Sequence, residues 1–576
     1  MKNVPWLLKL AVNMSLVCLF TVTAYAATLE VGAPGYPYTS IQAAINDADT
    51  GDTVLVHDGT YVENINFLGK VITVKSVNGA ASTIIDGNSS GSVVTFNSGE
   101  GSGSVLDGFT ITNGSVPQGA GGGISCSNSS SPTITHCTIS GNTALYNGGG
   151  ISCYSGSPTI THCTISGNTT YGWGGGISCG YSSSPTITHC SISGNSANAG
   201  YGGGISCETS CSPTIINCTI SGNTSNNGGG ILCLYSSSPT IINCTISGNS
   251  APTGYGGGIR YDSTSSPSMK NTILWGNVPN QIYPAEISIT VTYSDVDQDG
   301  YAGSSGNIRQ EPLFVDPAND DFRLQPTSPC IDAATSVGAP STDMEGFPRY
   351  DDPLVPNTGE GTTPYYDIGA YEYQAAGSVT LFSPNGAEAI PSGSYCSIKW
   401  GSRDAVKFKL WYSVDNGLTW TPIPKTGDFI QDTIYDWKVP KTTANKKKCL
   451  VRVKGFDGEG KRLGSDKSDG PFMIEVLTIT DPINNDTCTS GQPCLIAWNR
   501  SAYVNAHTGK LSYSTNGGLT WKLIVDTITE SDTSYSLWEP TVGTPKNNCR
   551  VKLVYKNAKG VTVGTATSGR FTIDTP

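Results

Sequence analysis

Between residues 121 and 282 the chain has four charged side chains, Glu208, Arg260, Asp262 and Lys270. Two are carboxylates, and glycosidic cleavage needs a pair of these ~5–10 Å apart, one as acid and one as base or nucleophile. Glu208 and Asp262 fall two repeats apart, at what read as different points of the repeat described below, so no such pair is expected. The stretch is instead rich in aromatics. Tyr146, Tyr171, Trp173, Tyr201 and Tyr255 precede a recurring Gly-Gly-Gly-Ile, and Tyr154, Tyr181, Tyr235 and Tyr261 follow it. Aromatic faces stack on sugar rings, so these nine are the candidate carbohydrate-binding residues. Packing over loop glycines is the competing role.

Other residue types suggest other chemistry. His136, His162 and His189 recur at the same point of the repeat and could share a cation as neutral imidazoles. Asn217, Asn243 and Asn271 then take over that point, which suits a stacked turn better than a metal site. Ten cysteines form two series, Cys126/153/179/207/233 and Cys137/163/190/218/244, with Cys211 extra. Parallel side chains on in-register strands rarely offer disulfide torsion, so these read as buried thiols. Asp295-x-Asp297-x-Asp299-Gly300 opens like a calcium loop, but its twelfth position is Gly306 and the bidentate Glu is missing. No cofactor is expected beyond a calcium ion near those three aspartates, with a polar turn as the default.

The elements that position these side chains are repeats. Gly-Gly-Gly-Ile begins at Gly121, Gly148, Gly174, Gly202, Gly228 and Gly256, and Ile-Ser-Gly-Asn begins at Ile139, Ile165, Ile192, Ile220 and Ile246. A fixed period of this size marks a stacked architecture. Each unit has three short strand signals, so one unit makes one coil of a parallel β-helix with like residues stacked at ~4.8 Å. Alternation puts Ile and Cys inside. It puts Ser125, Ser152, Ser178 and Ser206, then Leu232 and Arg260, on an outer floor between the aromatic walls.

The 70 glycines among 576 residues therefore reflect architecture rather than disorder. The net charge of −12 hides a division: residues 27–374 carry 27 acids and 7 bases, residues 375–576 carry 18 acids and 24 bases. An acidic body argues against nucleic acid as a partner. Residues 1–26 read as a secretory signal with cleavage after Ala26, and no later stretch is apolar enough for a transmembrane segment. The expected location is secreted or cell-surface.

Three resemblances extend this reading. Ile41-Gln-Ala-Ala-Ile, Gly51-Asp-Thr-Val-Leu-Val and Gly59-Thr-Tyr-Val-Glu resemble the opening of right-handed parallel β-helix proteins of the pectin-lyase-like superfamily. That resemblance implies a helical cap on the first coil, and, in its lyases and hydrolases, clustered carboxylates that often hold calcium, with an Arg or Lys base. His57, Asp58 and Glu63 are the polar groups near that cap, where a structural role is the usual one. Tyr293-Ser-Asp-Val, Asp321-Phe-Arg-Leu, Ser328-Pro-Cys-Ile-Asp, Gly346-Phe-Pro-Arg and Asp367-Ile-Gly-Ala-Tyr-Glu resemble the choice-of-anchor Q domain that closes many surface β-helices. Two tandem units of about 100 residues, with Cys396-Ser-Ile-Lys-Trp matching Cys494-Leu-Ile-Ala-Trp, fit Ig-like sandwiches. That likeness implies bridges Cys396–Cys449 and Cys494–Cys549. The strings Ser413–Trp420 and Ser514–Trp521 resemble the Asp-box of sialidases, a structural hairpin.

The expected fold is all-β, a right-handed parallel β-helix solenoid followed by two Ig-like β-sandwiches. Its parts are a signal (1–26), a cap with first coils (27–120), the repeats (121–282), a choice-of-anchor Q-like segment (283–374) and two modules (378–476 and 477–576). The expected function is binding of polysaccharide or surface glycans in an adhesion-type role. A carbohydrate-active lyase or hydrolase is the alternative, and a purely structural surface protein the third reading.

Overall fold

The computed structural model describes residues 26–284, 289–352, 354–361, 365–375, 377–424, 428–442, 444–500, 507–529, 532–557 and 562–576. The expected signal lies outside them, apart from Ala26. The described chain forms two compact units. The first holds residues up to 312 with short returns at 317–322 and 368–370; the second holds the remainder.

In the first unit the repeats stack as a parallel solenoid. Successive coils contribute strands to an eleven-stranded sheet (Thr28–Val31 to Thr290–Thr292), a ten-stranded sheet (Gly59–Val62 to Asp295–Val296) and a nine-stranded sheet (Ile65–Asn66 to Ile282–Tyr283). A fourth sheet of five short strands, Ser115–Val116 to Thr224–Asn227, was not expected; it forms where the chain runs from Ile-Ser-Gly-Asn to Gly-Gly-Gly-Ile. Register is residue-on-residue: Ile124 on Ile151 on Ile177, and Cys126 on Cys153 on Cys179. These ladders are fully buried, so each Ile removes its whole side chain from water, worth roughly 1.5–3 kcal/mol apiece. The eleven cysteines from Cys126 to Cys244 are buried free thiols. Cys211 is not a stray: its N–H donates to Ser237 Oγ, in a ladder where Gly156 N–H likewise donates to Ser183 Oγ.

The open end of the first coil is covered by the helix Ile41–Asp47, which buries Ile41, Ala44 and Ile45. Glu63 accepts from the N–H groups of Ile41 and Gln42 at 2.8 and 3.0 Å, satisfying free donors of the first turn. Lys70 Nζ donates to the carbonyls of Ile45, Asn46 and Ala48, satisfying the other end. Glu63 is thus a helix cap rather than an acid–base group. Asp58 accepts from Asn78, and His57 contacts Glu30 at 3.1 Å under a stacked Tyr36 ring.

Gly-Gly-Gly has a separate reason at each position. The first glycine is left-handed, with φ +75° at Gly121 and +63° at Gly148. A Cβ on the second, Gly149, would stand 2.6 Å from the Gly175 carbonyl; on the third, Gly150, 3.0 Å from Asn168 Nδ2. That asparagine ends Ile-Ser-Gly-Asn. Asn142, Asn168, Asn195, Asn223, Asn249 and Asn277 form a buried ladder. Asn168 Nδ2 donates to Asn195 Oδ1 at 3.0 Å and to the Ile139 carbonyl at 2.8 Å, and Asn195 repeats this on Asn223 and Ile165. The two sequence signatures are therefore two sides of one packed corner.

Past the solenoid, Phe314–Asp316 pairs with Asp321–Leu324, and the described residues that follow are largely without strands. Two β-sandwiches follow with the same strand order, a three-stranded sheet facing a six-stranded one that is antiparallel but for one parallel pair. Trp400, Phe408 and Trp437 centre the first core, and Trp498, Trp538 and Tyr555 the second. The cysteine pairing differs from expectation. Cys494 bonds Cys488, while Cys396, Cys449 and Cys549 are free. Cys488 lies on a strand that the first module also has, where Ile390 occupies its place, so Cys396 has no such partner. The Cys449 and Cys549 thiols each donate to a carbonyl three residues back, Lys446 and Lys546. In the Asp-box hairpins Asp415 and Asn516 each accept the N–H four residues on, a turn-fixing role.

Candidate functional site

The candidate face is the outside of the nine-stranded sheet, bordered by the loops before Gly-Gly-Gly-Ile and after the strand. Six of the nine aromatics are open to solvent: Tyr146, Tyr154, Tyr171, Tyr181, Tyr235 and Tyr255, each 44–58% exposed. Trp173 and Tyr201 are half-buried. Tyr261 is not on the face. It follows Cys233 in register, takes the place of a ladder cysteine and is buried in the core at 1% exposure. The sequence reading took it as a loop aromatic after the strand; register shows that it stands at the ladder position instead.

The rings form contacts along the solenoid axis. Tyr154 and Tyr181 lie 4.3 Å apart and Tyr255 and Tyr283 4.2 Å apart between centroids. Trp173 packs on Tyr201 at 5.0 Å and reaches Tyr235 at 6.4 Å. Tyr283 belongs to this rank and escaped the sequence reading because its coil has no Gly-Gly-Gly-Ile. Trp173 stands before its strand and Tyr235 after its own, so their contact bridges the two walls. The middle of the floor is covered, with Ser152, Ser178 and Ser206 4%, 3% and 0% exposed and Leu232 fully buried, whereas Ser125 and Arg260 at its ends are partly exposed. An open groove with a hydroxyl floor is replaced by a ridge of rings over a buried floor.

Glu208 closes the strand Ile205–Glu208 of this sheet. Its carboxyl accepts from Ser206 Oγ at 2.8 Å, and burial pushes its pKa up to about 7. Register corrects the earlier placement of Asp262. Glu208 is opposite Leu234, and Cys233 is opposite Tyr261, so Asp262 continues the column that holds Glu208. Two rungs separate their backbones by ~10 Å. Asp262 nevertheless spends its oxygens locally, one on Tyr235 N–H at 2.8 Å and the other on Thr264 N–H and Oγ1, and these bonds hold its pKa low.

The other candidates resolve into structural roles. His136, His162 and His189 stack at 5.2 and 4.7 Å with φ of +50° to +52°, and Asn217, Asn243 and Asn271 hold the same left-handed turn at φ +49° to +52°. Asp107 contacts His136 at 3.0 Å. Among the described residues no three His, Cys, Asp or Glu side chains converge as a metal site. Asp297 and Asp299 are bridged by Arg309, and Asp295 is a buried strand residue that accepts Gln310 N–H. The guanidinium, not a convergent oxygen cage, meets the charge of that string. The acids of the following segment turn inward: Asp332, Asp343, Asp367 and Glu372 are buried and accept backbone N–H groups, and Arg349 pairs with Glu372 at 2.7 Å.

Comparison with known proteins agrees with this fold. Residues 45–174 and 173–295 match the family model described as right handed beta helix region. No curated protein matches the chain. Among solved structures, fibronectin(III)-like modules of CbhA from Clostridium thermocellum align at 12% identity over 34% of this chain and 95% of theirs, with a TM-score of 0.14. The FN1–FN3 domains of chicken CNTN1 align at 13% identity over 33% and 68%, with a TM-score of 0.13. The titin domains z1z2 in complex with telethonin give 11% identity over 35% and 100%, with a TM-score of 0.13. Scores this low carry no argument.

Proposed function

We propose that this right-handed β-helix protein is exported and binds polysaccharide or surface glycans through the aromatic ridge of its nine-stranded sheet. The observation that supports this is the set of exposed rings, Tyr146, Tyr154, Tyr171, Tyr181, Tyr235 and Tyr255, which border one sheet in four of five successive coils. Exposed apolar surface of that extent is costly unless something covers it. Sugar rings suit the spacing and the amphipathic tyrosine faces, and each exposed phenol adds a donor and acceptor for hydroxyls. Among the described residues no helix is long and apolar enough to cross a membrane. The 1–26 leader and the choice-of-anchor Q-like segment fit a protein displayed outside the cell.

A glycan array with the purified chain tests this reading, followed by Tyr154→Ala/Tyr181→Ala and Trp173→Ala. Each is expected to weaken a bound glycan by about tenfold, the loss of one or two stacking contacts worth ~0.5–1.5 kcal/mol each. Undiminished binding in both variants would remove the ridge as the site. N-terminal sequencing of exported material is expected to begin at Ala27.

Cleavage is the second reading, and one observation favours it: Glu208, with its pKa near 7, and Asp262, held ionised, share one column. Incubation with soluble polysaccharides, followed by reducing-end and unsaturated-end assays, tests it. Product that disappears in Glu208→Gln would replace binding with catalysis.

A further inference from the structure

The outer face of the larger sheet in the first C-terminal module concentrates positive charge in an acidic chain. On Lys407–Ser413 the core takes Phe408 and Leu410, leaving Lys407, Lys409 and Trp411 outward; on Lys446–Phe456 it takes Val451 and Val453, leaving Arg452 and Lys454 outward. Register then sets Lys409 opposite Lys454 and Arg452 opposite Lys467, with Arg462 next along the hairpin. Like charges directly opposite destabilise a sheet. None of these six cations has a carboxylate within ion-pair distance among the described residues.

Aromatic rings hold the cations in place without neutralising them. The Arg452 guanidinium lies 4.3 Å from the Trp420 ring and 5.1 Å from Trp411, Lys454 Nζ lies 4.9 Å from Trp411, and Lys409 Nζ 4.4 Å from Phe429. Arg452 Nε is buried with no hydrogen-bond partner. Burial and the neighbouring cations lower the pKa of both Arg452 and Lys454. The nearby acids are committed elsewhere: Asp457 accepts from its own turn, and Asp466 from Leu381 and Lys467 N–H. The second module repeats the device on a smaller scale, with Lys552 Nζ 4.3 Å from Trp521 beside a shallow concavity that includes Lys510 and Lys556.

We propose that this sheet face binds an anionic polysaccharide, carboxylated or sulfated, at a site separate from the aromatic ridge of the β-helix. Cations on adjacent strands stand ~4.8 Å apart, a comb that suits a polymer with charges along its length better than one compact anion. Arg452 and Lys454 already sit over Trp411, and Arg452 over Trp420, so these cations compete with a nucleobase for the ring faces.

The test uses the whole chain and three surfaces: alginate, heparin and neutral dextran. At about 50 mM salt the protein is expected to bind alginate or heparin but not dextran, and to lose at least about tenfold in affinity at about 200 mM. Lys409→Gln/Arg452→Gln/Lys454→Gln is expected to lose at least about tenfold, as counterion release from three fewer cations implies, whereas Lys75→Gln, which removes a cation paired with Asp107 on the β-helix, keeps full binding. Arg462→Gln/Lys467→Gln, at exposed positions, gives a second reading if the triple variant folds poorly. Wild-type affinity in both charge variants, equal binding to dextran, or preference for single-stranded DNA or anionic lipid vesicles would overturn the proposal.

Discussion

At the scale of single residues, two polar side chains decide most. Asn195 sits between two coils, donating to Ile165 O and Asn223 Oδ1 and accepting from Asn168. Asn195→Ala leaves several buried groups unpaired at about 1–3 kcal/mol each, so the solenoid's urea midpoint is expected to fall clearly. Glu208 keeps its proton to about pH 7 when folded. Because that is above its unfolded value, its stabilising contribution is complete below about pH 4.5 and is lost as pH rises to about 7. Glu208→Gln is therefore expected to match wild type in thermal melts near pH 4 and exceed it at pH 8. Equal melting temperatures at pH 8 would mean that the carboxyl is not desolvated. Parity predicted that Cys, Ile and Ser positions alternate, but not that Asn142 and its successors are buried, since polarity alone favours the surface for asparagine.

At the scale of elements, the repeating corner and the turn after Pro-Thr-Ile carry the constraints. Gly149→Ala places a methyl group 2.6 Å from two backbone carbonyls, which no rotamer can relieve. Overpacking of this kind costs typically 1–3 kcal/mol, and a melt of the variant checks it. His162 occupies a left-handed turn at φ +52° that later coils give to asparagine. His162→Asn is expected to leave stability within about 0.5 kcal/mol, whereas His162→Ile costs about 1–2 kcal/mol or more because a branched Cβ meets the carbonyl there. The same interchange in the sequence favoured a turn over a metal site, and the dihedral angle supplies the physical reason. In the modules, alkylation without reduction is expected to leave Cys488 and Cys494 linked and to label Cys549 on unfolding. The Ig likeness pointed to the wrong pair because it counted one cysteine pair per module, while Cys488, on a strand of the other sheet, meets Cys494 across the module.

At the scale of the molecule, charge is sorted by burial as well as by position. The acidic segment after the solenoid hides Asp332 and Asp343, whose pKa values rise to about 7, and Asp367 and Glu372, which burial also raises, Asp367 further through repulsion from Glu372. All four hold protons more tightly folded than unfolded, so this segment is expected to be firmest near pH 4–5 and to loosen as pH approaches 7. Amide exchange across residues 330–373, corrected for the intrinsic rate, checks the direction. Periodicity determined the coil and its Ile and Cys ladders, because these are set by side-chain parity, while the helical cap and the two C-terminal sandwiches came from resemblance to known families. Tertiary structure decided the rest. Whether Tyr261 faces in or out, whether the serine floor is open, whether Glu208 and Asp262 share a column and which cysteine meets Cys494 all depend on what stands opposite, and that neighbour is 20 or more residues away along the solenoid or, for Cys494, on a strand of the module's other sheet.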